Sequence, residues 1–190
     1  MTVYIETERL RLRDWREEDL LPFQQMSASQ QVRRYFPSLL SYRRSEHDMN
    51  KMDEVISKYN IGLFAVELKE TNGWLGFIGL NYVPKESKYK FDELPFYEIG
   101  WRLIPEVWGN GFATEGAEAV LKYAKSQGLE EVYAFTSENN AASRKVMEKI
   151  GMKLYDYFEY PKKGAETFIK ALMENVDSSR LLLGCGLKKI

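Results

Sequence analysis

The sequence holds a single cysteine, Cys185, and a single histidine, His47. One cysteine excludes an internal disulfide, and the two residues together fall short of a metal site built from His and Cys. Metal binding by carboxylates alone stays open, but no Asp-rich loop asks for it. No apolar run approaches the ~20 residues a helix needs to cross a bilayer, and the chain starts on charged, strand-like sequence rather than a signal peptide. Acidic and basic residues nearly cancel, 28 against 27, leaving a formal net charge of -1. That balance argues against a nucleic-acid groove or a polybasic membrane anchor. The expectation is one domain over residues 1–190, soluble and cytoplasmic, whose chemistry runs without metal and without a covalent enzyme intermediate.

What the sequence does contain is centred on Pro105-Glu106-Val107-Trp108-Gly109-Asn110-Gly111-Phe112-Ala113-Thr114-Glu115. This stretch joins a strand-like run, Phe96 to Ile104, to a helix-like run, Ala113 to Gln127. Two glycines one residue apart allow a tight turn that aims successive N–H groups at one point, where the helix dipole is also positive. Such a site suits a diphosphate that belongs to a cofactor and is not itself transferred. A Gly-x-Gly pair also serves as an ordinary turn, so the neighbourhood has to decide.

Before that loop, Leu10 and Leu12 alternate with Arg9, Arg11 and Arg13, which reads as a first strand with its arginines on a solvated face. Asp14 to Asp19 looks like a helix entry with acids in the first turn, followed by Leu20, Leu21, Phe23 and Met26. Val32 to Pro37 is a bent aromatic segment. Ser45-Glu46-His47-Asp48 opens a second helix with Met49, Met52, Val55 and Ile56 inward, and His47 in its first turn reads as an exposed bystander. Ile61 to Leu68 and Trp74 to Val83 form a hairpin through Asn72-Gly73, and a polar loop, Pro84 to Pro95, leads to the strand that begins at Phe96.

In that strand Tyr97, Ile99, Trp101 and Leu103 share the core face, which leaves Glu98 with Gly100 and Arg102 on the other. A carboxylate inside a sheet needs a reason: an ion pair with Arg102, or chemistry. The helix after the glycines turns Ala113, Ala117, Val120, Leu121 and Ala124 inward and ends at Gly128. The strand Val132 to Thr136 then completes a strand, helix, strand crossover. Asn139 to Ser143 caps a last helix with Val146, Met147 and Ile150 inward. Asn140 and Ser143 share one face of its start; capping explains one of them and leaves the other for a ligand. Tyr155 to Tyr160 reads as a strand, and residues 161–190 show no pattern.

Tyr97-Glu98-Ile99-Gly100-Trp101-Arg102-Leu103, Trp108 to Glu115, and Asn140-Ala141-Ala142-Ser143 with Val146 to Met152 together resemble the GNAT family of acetyl-CoA-dependent N-acetyltransferases, in its RimJ/RimL-like branch. The resemblance covers about residues 6 to 160. It implies an α/β (α+β) fold with a mixed, mostly antiparallel sheet of six or seven strands, splayed at its centre, with helices on both faces and acetyl-CoA in the gap. It implies that backbone amides of Trp108, Gly109, Asn110, Gly111, Phe112 and Ala113 hold the CoA pyrophosphate, that Leu103 and Ile104 pair with the pantetheine arm, and that Asn140 contacts the same cosubstrate. Glu98 matches the general base of several relatives, and Ser143 the position to which RimL-like members look for an acid. Many relatives place a tyrosine acid where this chain has Met147. RimJ/RimL-like chains also finish on a strand that nothing after Pro161 matches.

Acyl transfer from a thioester needs an uncharged amine held against the carbonyl, and amines arrive largely protonated at neutral pH. Glu98, directly or through water, would take that proton; a backbone N–H near Leu103 would meet the oxyanion; Ser143 would protonate the thiolate. The amine would bind near Trp15, Arg33, Tyr35 and Phe36 and the loop 84–95. A protein N-terminus, a polyamine, an amino acid and an antibiotic amine all remain open as acceptors, as does a homodimer. The alternatives are a CoA-binding module that has lost catalysis, consistent with Met147, and a dinucleotide-dependent oxidoreductase. Against the latter, Thr114 replaces the third glycine of that fingerprint, and Glu130 and Glu131 precede the next strand instead of ending it. A nucleotide triphosphatase would need a lysine after the glycines.

Overall fold

The protein was analysed as a computed structural model, in which residues 1–87, 91–159 and 167–174 are described. In chain order the elements are β1 (Val3–Glu6), β2 (Leu10–Arg13), a 3-10 turn (Glu17–Asp19) running into α1 (Leu20–Ser27), α2 (Tyr42–Tyr59), β3 (Leu63–Leu68), β4 (Gly73–Val83) and β5 (Phe96–Leu103). A second 3-10 turn (Pro105–Val107), α3 (Phe112–Ser126), β6 (Glu131–Ser137), α4 (Ala141–Lys149), β7 (Lys153–Glu159) and β8 (Thr167–Glu174) follow. The strands form one sheet in the order β1-β2-β3-β4-β5-β6-β8-β7. Every neighbouring pair is antiparallel except β5 with β6, because α3 crosses over between them.

The fold class follows the sequence, with eight strands instead of six or seven. Two of the eight lie outside the patterns read from sequence. β1 precedes the first expected strand and pairs with it. β8 falls within the unassigned C-terminal segment and supplies the strand that seemed missing there, inserted between β6 and β7. Its run Thr167–Glu174 hides its character because Lys170 interrupts it. That lysine is 1% exposed: its Nζ lies 2.8 Å from Glu93 and 4.4 Å from the Phe91 ring centroid, so an ion pair and aromatic faces replace solvent. Residues 160–166 and 175–190, Cys185 included, lie outside the described residues.

The sheet is covered on both faces. Gly116 lets α3 press onto β4 so closely that a Cβ there would lie 2.5 Å from Ile78 Cδ1. Phe77, on the opposite face of the same strand, packs against Phe23 of α1 with ring centroids 6.1 Å apart. α2 starts earlier than its sequence suggests: Ser41 is the cap, its Oγ accepting the Arg44 N–H at 3.3 Å, and Ser45 is buried one turn in. His47 consequently sits in the second turn, exposed.

Of the three arginines expected on a solvated face, Arg9 and Arg11 stay partly exposed, but Arg13 is buried against Asp19 of the 3-10 turn. Arg13 is 1% exposed and donates to Asp19 (2.7 and 2.9 Å) and to Glu67 (2.9 Å). Arg11 reaches the other oxygen of Glu67 at 2.9 Å. Burial pushes the Glu67 carboxyl up, but the hydrogen bonds from Arg13 and Arg11 outweigh it and hold the pKa below its ordinary 4.5. A carboxylate with a depressed native pKa adds stability that is present above its unfolded pKa and is lost as pH falls through the native one. Glu67→Gln, which leaves part of the Arg13 charge uncompensated, is expected to cost about 3–5 kcal/mol in urea unfolding at neutral pH. The gap from the wild type should narrow as the pH drops below 4.5; a cost under ~1 kcal/mol, as for exposed pairs, would contradict the network's role.

Candidate active site

The site is created where β5 and β6 part. Their parallel ladder is registered at Glu98 and Tyr133 alone, and from there toward Leu103 the strands diverge. On the other side of β5, β4 carries a bulge next to Gly76 (φ 140°), whose backbone sits so near β5 that a Cβ would lie 2.1 Å from the Arg102 carbonyl. A bulge bends its strand, and here it bends the β4-β5 pair at the end where β6 is left behind. The gap opens into a cavity of about 1030 Å³ that runs through the sheet. Glu98, Gly100, Arg102, Asn81, Tyr35 and Phe36 line it toward α1 and α2; Trp108, Gly109, Gly111, Phe112, Asn140 and Ser143 line it toward α3 and α4.

The Gly109 to Gly111 turn forms an N–H cradle. Both glycines have φ 82°, a conformation that disfavours any side chain, and a Cβ at Gly109 would meet nothing within 4 Å. Gly111 caps α3 without a side-chain bond. Of the N–H groups from Trp108 to Ala113, that of Trp108 donates to Pro105 (3.1 Å), and the others have no backbone acceptor among the described residues. Free N–H groups at a helix start are what a phosphate requires. The Leu103 carbonyl accepts the Trp108 indole N–H at 2.8 Å, and the Ile104 N–H donates to Leu75 at 2.9 Å. The Asn110 side chain turns back on Val107 at 3.2 Å, which leaves its backbone for the cradle.

The cradle is held from behind. Glu115, in the first turn of α3, accepts from Thr7 Oγ1 (2.5 Å), the Arg9 N–H (2.9 Å) and Arg9 Nε (2.6 Å), while Arg9 Nη1 donates to the Asn110 carbonyl (3.1 Å). Burial opposes ionisation of Glu115, but these partners outweigh it and lower its pKa. Across the gap, Asn140 caps α4 by accepting from the Ser143 N–H (3.3 Å) and also donates Nδ2 to Ser143 Oγ (3.0 Å). The two residues are thus partners, and the Ser143 O–H keeps its proton for another acceptor. Tyr35 ties the wall before α2 to the loop before α4 by donating to the Asn139 carbonyl (3.1 Å).

Several expected acceptor-site residues are placed otherwise. Trp15 is 7% exposed, donates to the Leu63 carbonyl (2.8 Å) and stacks among Phe23, Trp74 and Phe77; it belongs to the core, away from the cavity lining. Arg33 is buried behind Phe36, bonded to the Ser38 carbonyl, and its neighbour Arg34 lines the cavity instead. Tyr35 and Phe36 do line it. The ion pair of Glu98 with Arg102 is not formed: the Arg102 guanidinium lies over the Phe36 ring (4.1 Å), and no carboxylate among the described residues is within ion-pair distance. Arg102 was visible in sequence only as that pairing partner. No group of His, Cys, Asp or Glu among the described residues could hold a metal ion.

The Acetyltransferase (GNAT) domain family matches residues 9–153. The chain belongs to the GNAT acetyltransferase family. It is 28% identical over 158 residues to the uncharacterized N-acetyltransferase YnaD of Bacillus subtilis, covering 83% of this chain and 86% of that protein. A solved GNAT acetyltransferase from Bacillus anthracis superposes with a TM-score of 0.76 at 27% identity, covering 91% of this chain and 99% of that one. RimL, a ribosomal L7/L12 alpha-N-protein acetyltransferase solved with coenzyme A, superposes at 0.75 with 13% identity over 93% of this chain and 100% of that one, a likeness of fold.

In this N-acetyltransferase the rigidity of the cradle depends on Glu115. Glu115→Gln is expected to speed amide hydrogen exchange at Arg9, whose N–H the Glu115 carboxylate accepts, and at residue 115, whose N–H is bonded to Gly111, roughly tenfold or more, the worth of lost charge-assisted bonds, with Val120 to Ala124 unaffected. Uniform acceleration along α3 would instead indicate loss of the whole helix.

Proposed function

We propose that the protein transfers an acetyl group from acetyl-CoA to a primary amine by direct attack, with general-base assistance. The observation that carries this reading is the continuity of the cavity: the N–H cradle opens on one side of the parted strands and Glu98 on the other. Bound in the gap, acetyl-CoA would supply an activated acetyl group on a good leaving thiolate. The amides from Gly109 to Ala113 suit its diphosphate, and Trp108, Phe112 and Asn140 line the same channel. The diverging edge of β5 suits an extended pantetheine arm beside Leu103, which lines the cavity; Ile104 lies outside that lining and its N–H is committed to Leu75.

The chemistry assigned to this chain is modest. Glu98 takes a proton from the ammonium, directly or through one water, so that the neutral amine forms the new C–N bond. A backbone N–H near Leu103 faces the charge that develops on the acetyl oxygen. As the C–S bond breaks, Ser143 gives its proton to the sulfur and regains one from solvent. Asn140 positions it for that role through the 3.0 Å bond to Oγ. Met147, where many relatives carry a tyrosine, is buried and has no acidic proton to offer. Arg34 and Arg102 in the acceptor wall argue against a polycationic polyamine, since like charges in a confined site repel. An α-amine or a single side-chain amine fits better.

Glu98→Gln should lower kcat roughly 10²- to 10⁴-fold while acetyl-CoA still binds. Full activity of that variant between pH 6 and 9 would remove Glu98 from the mechanism. The alternative, a CoA-binding module without catalysis, would show acetyl-CoA binding and no acetylated product from any amine.

A further inference from the structure

Among the described residues no carboxylate pairs with Arg102, which lines the acceptor half of the cavity. Its guanidinium stacks on Phe36 (4.1 Å) and over Phe77 (5.1 Å), and the same Phe36 ring carries Arg33 at 4.8 Å. The acid acting on it at longer range is Asp48, whose Oδ1 is already engaged by Arg44 at 2.8 Å. Burial, and then Arg33, push the Arg102 pKa down to about 9, so it stays charged at neutral pH in a setting that disfavours charge. Aromatic faces offset part of that cost but satisfy none of the N–H donors in the guanidinium plane. Arg102 lines the cavity, and a guanidinium fork matches a carboxylate bidentately.

The strand fixes where the rest of such a ligand must lie. Glu98, Gly100 and Arg102 alternate onto one face of β5 and all line the cavity, with no side chain at the middle position; a Cβ at Gly100 would approach only Leu63, at 3.9 Å. Four residues of strand put the two Cα atoms about 13 Å apart, and side chains that stand off the same face keep the carboxylate and the guanidinium well separated. An α-amino acid is too short to meet both, whereas a dipeptide or a straight ω-amino acid such as 6-aminohexanoate places its amine and carboxylate several bonds apart.

We propose that the acetyl acceptor carries a carboxylate that Arg102 binds, well separated from the amine it presents to Glu98, as in a dipeptide or an ω-amino acid. This rests on the acetyl-transfer reading and narrows its substrate class. Arg102 acts as a binding residue for the acceptor, supplying orientation rather than proton transfer.

The test compares 6-aminohexanoate with its uncharged isostere 6-aminohexanamide. Initial rates at saturating acetyl-CoA are expected to favour the carboxylate roughly 10- to 100-fold in kcat/KM, with the difference mostly in KM. Arg102→Met should abolish that preference, Arg102→Lys should keep part of it, and both should bind acetyl-CoA like the wild type by calorimetry. In the series from glycine to 7-aminoheptanoate, kcat/KM should peak near 6-aminohexanoate. Equal kcat/KM for acid and amide, or a preference that survives Arg102→Met, overturns the proposal. Binding of 6-aminohexanoate followed by NMR without acetyl-CoA reads the anion subsite independently. Binding that depends on Arg102 supports the subsite even if no amine is acetylated, an outcome that counts against the acetyl-transfer reading instead. Should Arg102→Met misfold, as circular dichroism would reveal, Arg102→Gln takes its place.

Discussion

The rest of the structure depends on a ladder that is not completed. β5 and β6 meet at one register position and then separate, although the backbone groups along both edges are obligatory hydrogen-bonding groups. Two strands can be held apart in the middle of a sheet only if everything around them is firmly fixed. On one side β4 pairs with the whole length of β5, and the β4 bulge beside Gly76 sets the bend. On the other, β6 is paired from Glu131 to Ser137 with β8, and β8 in turn with β7. α3 bridges the parting strands, its close packing permitted by Gly116. The gap is thus a built feature of the sheet, held open by the elements around it.

Electrostatics divide the two mouths of that gap. At the α3 end the positive field comes from backbone N–H groups, and the Glu115 carboxylate is turned away and committed to Thr7 and Arg9. At the α1-α2 end it comes from guanidinium groups stacked on Phe36, with Glu98 further along the strand. On the proposed reading, a diphosphate and an anionic acceptor would meet separate sources of positive potential. The buried Arg13, Asp19 and Glu67 network does not enter the chemistry; it secures α1 against β2 and β3, and with it the aromatic segment that walls the acceptor side.

Much of this was legible in the sequence because it was written in local rules. Gly109 and Gly111 announce left-handed backbone before a helix, Asn72-Gly73 a hairpin, and the alternation around Glu98 its face on the strand. What was not legible came from partners distant in sequence. Arg13 alternates with leucines like a surface residue, and only the fold brings its partners, Asp19 and Glu67, against it. Trp15 shares a segment with charged residues, yet stacks on rings from α1 and β4. β8 was hidden by Lys170, whose partner Glu93 lies in the loop before β5. Arg33 and Arg34 differ by one position on a bent segment, where no periodicity says which one turns to the cavity.

Isothermal titration of the purified protein with acetyl-CoA, NAD and ATP tests the central claim most directly, that the gap beside the Gly109 to Gly111 cradle is an acetyl-CoA site. The account predicts one acetyl-CoA bound per chain, with NAD and ATP failing to bind up to the millimolar range. Binding of NAD or ATP in place of acetyl-CoA would contradict it, and would make the cradle a phosphate site of another kind.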